Sequence, residues 1–140
     1  MRKMLGMCLG ITLLLGANVV NAEESLQGTW KLSSGEAHGK ALSEKQLHGG
    51  KLVINGDHYT VTIEGRGTAT GVQKLDPKAK TIDITDNAGA HKGETCLGIY
   101  EVKGHEFRVA FAAPGKARPS KFSTTAESGT WVHTWKRVKE

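Results

Sequence analysis

The chain contains little cysteine. Two cysteines occur in 140 residues, and Cys8 falls within a predicted signal peptide, so Cys96 stands alone in the domain that follows. A single cysteine excludes an intrachain disulfide, and the fold must therefore be held by an apolar core. Residues 23–140 are long enough, because small domains need extra cross-links mainly below about 70–80 residues. We interpret Cys96 as a small buried side chain rather than a reactive thiol, since free cysteine is among the most buried residue types.

The chain also lacks a long hydrophobic run. Leu5–Ala17 is apolar apart from small residues and one threonine, and it is shorter than the ~20 residues that a membrane-spanning helix needs. The Arg2-Lys3 pair precedes this run, and Val20-Asn21-Ala22 follows with small side chains where a signal peptidase cleaves. The pattern predicts a signal peptide over residues 1–22, cleavage near Ala22, and an exported protein, either periplasmic or extracellular. No transmembrane segment is expected in residues 23–140.

Charge of one sign is not concentrated anywhere. Residues 23–140 carry 17 basic and 14 acidic side chains, a net charge of +3, and no run of five like charges occurs. This dispersion is typical of a solvated surface and excludes the basic arm of a nucleic-acid-binding protein. We therefore expect no nucleic-acid partner, and we expect a monomer.

Catalytic and metal-binding motifs are absent from the sequence. It contains no Gly-x-Ser-x-Gly, no Cys-x-x-Cys and no His-Glu-x-x-His pattern. Its six histidines are scattered, whereas a zinc site needs three or four convergent ligands. We therefore predict no catalytic residue, no metal and no cofactor. An enzyme using carboxylates such as Asp83 and Asp86 is the third functional hypothesis, because spacing alone cannot show a site.

What the sequence does contain is alternation of apolar and polar residues. Eight short segments alternate in this way, and turn residues such as Asn55-Gly56 separate them. Short alternating segments at regular spacing are typical of an antiparallel sandwich or barrel. One short helix is predicted between the first two strands, because Ser43 and Gln46 fit a capping box and Gly49-Gly50 would end it. The predicted strands cover residues 28–33, 51–55, 59–64, 68–75, 81–85, 95–102, 106–111 and 130–138.

The first and last predicted strands carry a family resemblance. Gly28-Thr29-Trp30 stands on the first strand and Lys136-Arg137 on the last. This combination resembles the lipocalin superfamily, in which a Gly-x-Trp packs beneath a basic residue. The resemblance implies that Trp30 and Arg137 close the barrel floor, with the guanidinium stacked on the indole. It also implies an all-β fold, an eight-stranded antiparallel up-and-down (lipocalin-like) barrel with one short helix.

A closer resemblance covers nearly all of residues 23–140. The chain resembles an uncharacterised lipocalin-like family of small exported proteins found in planctomycete-type bacteria. That family has no established activity, so the resemblance implies fold and export rather than chemistry. The chain is also shorter than ordinary lipocalins and lacks their disulfide cysteines. The similar segments are LQGTWKL (26–32), KLVINGDHYTVTI (51–63), KLDPKAKTIDIT (74–85), LGIYEV (97–102) and FAAPGKARPSKF (111–122).

An eight-stranded barrel can be filled by side chains or can hold one small ligand. The first functional hypothesis is an exported binding module for a small apolar or amphipathic ligand. The candidate pocket residues are Tyr59, Val61, Ile63, Phe107, Val109 and Tyr100. The full set predicted to face inward is Trp30, Leu32, Leu52, Ile54, Tyr59, Val61, Ile63, Ile82, Ile84, Phe107, Val109 and Phe111.

The longest predicted loop, residues 112–128, supports an alternative hypothesis. Lys116, Arg118 and Lys121 form a local positive cluster in it. In this hypothesis the barrel is filled, and the loop contacts an acidic protein, a polysaccharide or another envelope partner. An apolar cavity would favour the first hypothesis, and a solid core would favour the second.

Overall fold

A computed structural model of the protein describes residues 25–65 and 67–139. The predicted signal peptide over residues 1–22, which includes Cys8, lies outside these residues. Across the two described ranges, no helix has the length and apolar character needed to cross a lipid bilayer.

The described residues form nine β-strands and one helix. The helix, α1 (Glu44–Leu47), is capped by Ser43, whose hydroxyl accepts a hydrogen bond from the Gln46 backbone N–H. The Gln46 side chain in turn accepts from the Ser43 backbone N–H at 2.9 Å, so the predicted capping box is confirmed. The strands are β1 (Gly28–Ala37), β2 (Lys40–Ala41), β3 (Lys51–Asn55), β4 (His58–Ile63), β5 (Gly67–Asp76), β6 (Thr81–Ala88), β7 (Thr95–Lys103), β8 (Glu106–Phe111) and β9 (Trp131–Arg137).

Eight of these strands close into one antiparallel barrel. From β3 onward each strand pairs with the next along the chain, while β1 pairs with both β3 and β9 and so closes the ring. Closure is possible because β1 is long: its first part pairs with β3, and nearly all of it pairs with β9. The remaining strand, β2, pairs through two residues with the end of β1. The predicted eight-stranded antiparallel up-and-down barrel with one short helix is confirmed.

The apolar side chains of the barrel strands point inward. Successive side chains of a strand face opposite sides of the sheet, so each inward residue is followed by one on the outer wall. Trp30, Phe107 and Ile82 are at most 2% exposed. The two least buried of the twelve predicted inward residues, Val61 and Ile84, are half-buried and pack against the core. The residues that alternation predicted to face inward are therefore on the inner face of the barrel.

The barrel has a floor and a mouth. The floor is the end where β1 begins and β9 ends, and the short β3–β4, β5–β6 and β7–β8 turns lie there. The mouth is the opposite end, with the β4–β5 and β6–β7 turns, the β1–β3 connection and the β8–β9 loop. Helix α1 belongs to the β1–β3 connection, contacts β1, and packs Leu47 against the core.

Three lysines lie side by side on the outer wall. Lys31 on β1 is directly opposite Lys51 on β3 and Lys136 on β9, and all three are exposed. Residues opposite each other in antiparallel strands have Cβ atoms about 4.5–5.5 Å apart, so like charges at these positions repel. The surface of β1 therefore carries a local electrostatic penalty.

We expect Lys31→Glu to raise the urea midpoint of unfolding, because it converts both repulsive pairs into attractive ones, each worth roughly 0.2–1 kcal/mol. The gain should shrink in 1 M NaCl, where the screening length is only about 3 Å. Lys103→Glu is the matched control, because Lys103 is opposite Glu106 and the same change there should lower the midpoint. A midpoint for Lys31→Glu at or below that of the unmodified protein at low salt would contradict this account.

Candidate functional site

The barrel floor is closed by an arginine on a tryptophan. The Arg137 guanidinium carbon lies 4.2 Å from the centre of the Trp30 ring, within the range of a cation–π interaction. The same guanidinium donates hydrogen bonds to the carbonyl oxygens of Gln27 and Ser25, at 2.8 and 3.0 Å. The Trp30 indole N–H donates to the Leu26 carbonyl at 2.9 Å. The floor is thus packed and hydrogen-bonded, which closes the barrel at this end.

Gly28 explains the glycine of the Gly-x-Trp motif. Its φ of +119° lies in a region that side chains rarely adopt. A Cβ at this position would also lie 3.7 Å from an Arg137 guanidinium nitrogen. Glycine therefore provides the backbone conformation with which β1 begins beside that guanidinium.

Above the floor, the barrel encloses a cavity of about 210 Å³ whose lining includes the exposed His91 at the mouth. This is small for a ligand site, since sites for drug-sized molecules measure about 300–1,000 Å³. It is nevertheless larger than the ~150 Å³ that accommodates a benzene molecule. The lining is mainly apolar and consists of Leu52, Ile54, Tyr59, Val61, Ile63, Ala69, Gln73, Ile82, Ile84, Asp86, His91, Phe107, Val109, Phe111, Trp131, His133 and Trp135.

A tyrosine–aspartate pair forms one polar part of the cavity wall. The Tyr59 hydroxyl donates a hydrogen bond to Oδ1 of Asp86. Burial, with the adjacent Asp86 carboxylate, raises the pKa of Tyr59 above its ordinary value, so the phenol keeps its proton and remains a donor. The other carboxylate oxygen, Oδ2, accepts no hydrogen bond from the described residues.

Gly71 makes room for this pair. It lies on β5, directly opposite Tyr59 on β4 and Asp86 on β6. A Cβ at this position would lie 2.5 Å from the Tyr59 hydroxyl oxygen and would overlap the Thr85 carbonyl oxygen. The missing side chain therefore lets the Tyr59 ring cross β5 and reach the carboxylate.

Gln73 adds a buried amide to the same wall. It follows Gly71 by two residues on the inner face of β5, and it is only 9% exposed. Its side-chain amide has no hydrogen-bond partner among the described residues. Because the amide borders the cavity, it can form a hydrogen bond with a polar atom placed there.

Aromatic rings from β8 and β9 form the other side of the cavity. The Phe111 and Trp131 ring centres are 5.6 Å apart, and Trp131 is half-buried at the mouth. Deeper in the barrel, His133 meets Trp135 edge-on at 5.7 Å. The cavity thus has an acidic, amide-bearing side and an aromatic side.

This architecture has a counterpart among solved structures. The barrel is similar to that of a DUF4847 family protein from Bacteroides vulgatus ATCC 8482. The TM-score is 0.50 at 13% sequence identity, and the similarity covers 86% of this chain and 99% of that chain. At this identity the likeness shows the fold alone, because one fold can carry many functions. No protein-family model matches the chain, and no match was found among curated proteins.

Five of the six candidate pocket residues lie on the cavity lining. These are Tyr59, Val61, Ile63, Phe107 and Val109. The sixth, Tyr100, is placed elsewhere: it is buried in the core nearer the floor, with its ring edge-on to Phe107 at 6.2 Å.

Sequence reasoning missed the polar and aromatic lining. Trp131, His133 and Trp135 alternate on the last strand, and that spacing was the signal that could have placed them beside the cavity. Asp86 shares strand parity with Ile84 and could have been assigned inward in the same way. Gln73 carries no such signal, because an isolated glutamine in an alternating strand is usually solvated.

The β8–β9 loop, residues 112–130, is fastened along the outer wall of the barrel. The Arg118 guanidinium donates to Asp83 Oδ1 at 2.6 Å and to the Gly98 carbonyl at 2.9 Å. Arg118, one of the three loop contact candidates, is therefore engaged by β6 and β7. The other two, Lys116 and Lys121, are exposed.

Two further residues, Phe122 and Thr124, hold the same loop. The Phe122 ring centre lies 4.2 Å from the Arg108 guanidinium carbon on the outer face of β8. The Thr124 hydroxyl donates to Glu36 at the end of β1, at 2.9 Å, and accepts from the Gly39 N–H. No residue of the loop contributes to the cavity lining.

Cys96 is buried in β7, directly opposite Ile84 on β6. Burial, with the carboxylates of Asp86 and Glu94 nearby, raises the pKa of the Cys96 thiol to about 11. The thiol is therefore protonated near neutral pH and is a poor nucleophile. Among the residues described, no group of three or more histidine, cysteine or acidic side chains is arranged to hold a metal ion.

Proposed function

We propose that the protein is an exported, non-catalytic binding module that holds one small apolar or amphipathic molecule in the barrel cavity. The observation that carries this proposal is the cavity itself, a mainly apolar space of about 210 Å³ above the packed floor, whose lining extends to His91 and Trp131 at the mouth. Burial of apolar surface contributes roughly 25 cal/mol per Å², so such a lining favours an apolar molecular body.

The competing hypothesis, a module that acts only through its β8–β9 loop, has weaker support. Arg118, the central residue of the basic cluster, is already paired with Asp83. Two exposed lysines, Lys116 and Lys121, remain for an acidic envelope partner.

Export belongs to this proposal. It rests on the charged start, apolar run and small residues before Ala22, and on the resemblance to a lipocalin-like family of exported proteins. Recovery of a chain that begins at Glu23 from the periplasm or medium of an expressing bacterium would support it. A full-length chain retained in the cytoplasm would contradict it.

The binding proposal is tested with three probes of similar shape: 2-phenylethanol, phenethylamine and phenylacetate. Each has about nine or ten non-hydrogen atoms, and at ~0.3 kcal/mol per atom even an unoptimised ligand reaches a dissociation constant of about 10 mM. We expect at least one probe to saturate the protein in isothermal titration calorimetry. Native mass spectrometry of gently purified protein should also show any co-purified ligand as an extra mass that is lost on denaturation.

The control for this experiment is a pair of neighbours on β4. Val61 lines the cavity, whereas Thr60 faces solvent. Val61→Phe should fill the space and abolish probe binding, and Thr60→Phe should leave it intact. The proposal fails if no probe saturates the protein below about 10 mM, or if the two variants bind equally well.

A further inference from the structure

The cavity carries negative charge without a compensating basic side chain. Asp86 is the single carboxylate among the described lining residues, and no lysine or arginine is among them. Its Oδ1 accepts from Tyr59, while Oδ2 remains open to another donor. A charged oxygen at the edge of an apolar space favours a positively charged group, because Coulomb interactions strengthen as water is excluded.

Each of the two imidazoles of the lining has a neighbour other than Asp86. His91 is at the mouth, where its Nδ1 lies 2.8 Å from Glu94 Oε1. His133 is on β9, three strands away around the barrel from Asp86 on β6, with its ring against Trp135. The hydrogen bond recorded for the Asp86 carboxylate is the one that its Oδ1 accepts from Tyr59.

A second acceptor lies beside the carboxylate. Gln73 is directly opposite Ile84, two residues before Asp86 on the same face. Such diagonal neighbours are about 7–8 Å apart at the backbone, so their side chains can reach one small group between them. The Gln73 amide oxygen and Asp86 Oδ2 are both acceptors, and a group with several N–H donors can satisfy both.

The aromatic side of the cavity also favours a positively charged group with an apolar body. Phe111 and Trp131 present rings at the mouth end of the cavity, and ring faces attract cations as well as apolar groups. A carboxylate ligand would instead be repelled by Asp86. A neutral alcohol could use the hydrogen bonds but would gain nothing from the charge.

We propose that the ligand is an amphipathic amine, whose primary or secondary ammonium group binds Asp86 and Gln73 while an aromatic or short aliphatic body fills the cavity. This inference rests on the proposed function, because it names the ligand class of the same cavity. The size of the space limits the body to about one ring with a short chain, given that ~150 Å³ holds benzene.

The first test needs no variant. Phenethylamine is cationic at neutral pH, whereas 2-phenylethanol has the same shape without charge. We expect the amine to bind the unmodified protein about tenfold more tightly than the alcohol, which corresponds to one charge-assisted hydrogen bond at about 1.4 kcal/mol per factor of ten. Phenylacetate should bind more weakly than both.

Asp86→Asn then isolates the charge. Asparagine keeps an oxygen that can accept from Tyr59, so the wall should remain in place. The amine should lose about tenfold in affinity and the alcohol little, so that the amine-to-alcohol ratio falls to about one. Gln73→Leu is the control, because it removes a hydrogen bond from either probe and should weaken both while preserving the ratio.

The possible outcomes distinguish a failure of the amine proposal from a failure of the proposed binding function. If alcohol and amine bind equally and Val61→Phe abolishes both, the cavity is a ligand site but the amine class is wrong. The amine class is also wrong if the amine preference persists in Asp86→Asn. If none of the three probes binds, the binding function itself is overturned.

Discussion

Trp30→Ala should lower the free energy of unfolding by about 3–5 kcal/mol, the cost of removing a buried tryptophan side chain. The indole is fully buried, and its ring centre lies 5.5 Å from that of Phe107. Its loss would leave a hole at the floor and remove the surface on which Arg137 stacks. Since whole domains are stable by about 5–15 kcal/mol, much of the folded population could be lost. Urea unfolding followed by far-UV circular dichroism measures this change.

Two milder substitutions show how much of this loss of stability comes from the Trp30 hydrogen bond and how much from the stacked Arg137. Trp30→Phe keeps an aromatic ring but loses the hydrogen bond to Leu26, and Arg137→Met removes the stacked charge and its two hydrogen bonds while keeping an apolar stem. Both should cost less than Trp30→Ala. If Trp30→Ala cost under about 1 kcal/mol, close to an ordinary substitution, the floor would not depend on this side chain.

Gly71→Ala is the second substitution from which a large effect is expected. An alanine methyl would overlap the Thr85 carbonyl and press on the Tyr59 hydroxyl, and overpacking of this kind costs about 1–3 kcal/mol. Gly71 does not have a positive φ, so alanine introduces no backbone strain there, and any loss is steric. Tyr59 should also be pushed away from Asp86, which the near-ultraviolet circular dichroism of tyrosine would report.

A double-mutant cycle tests whether the cost of Gly71→Ala arises from a clash with the Tyr59 side chain. In a Tyr59→Leu background the methyl would meet no tyrosine ring, so Gly71→Ala should cost less there than in the unmodified protein. Coupled neighbours typically show interaction energies of about 0.5–3 kcal/mol. Strictly additive effects would mean that Tyr59 does not cross β5 at Gly71. Gly56→Ala, where a Cβ meets nothing within 4 Å, reports the cost of a positive φ alone.

The all-β architecture could be predicted from the sequence because the alternation of apolar and polar residues dominates it. Alternation over segments such as Tyr59–Ile63 fixes which side chains face inward, and the turn residues between segments fix where each strand ends. The up-and-down order required the family resemblance, since alternation alone left a sandwich open. The stacking of Arg137 on Trp30 was implied by the same resemblance, and both residues lie where it placed them.

The missed features depend on contacts that alternation does not encode. The first strand was predicted to end at Ser33, but it runs to Ala37, because β1 continues to pair with β9 beyond a bulge between Leu32 and Ser34. The polar side of the cavity arises from three neighbouring strands meeting at Gly71, and no segment by itself reveals that meeting. The course of the β8–β9 loop depends on Arg118 finding Asp83, a contact between residues 35 positions apart.

The attachment of the β8–β9 loop to the outer wall affects how quickly a bound molecule, here called the guest, could enter and leave the cavity. A flap across the mouth would have to open for each exchange, and such motions occur over microseconds to milliseconds. Here the loop's contacts run to β1, β6, β7 and β8, and it leaves the cavity lining to the barrel strands and His91. The dwell time of a guest would then follow from its own contacts with the lining. Occupancy would track the free concentration outside, so the protein would behave as a reservoir in equilibrium with its surroundings rather than as a trap.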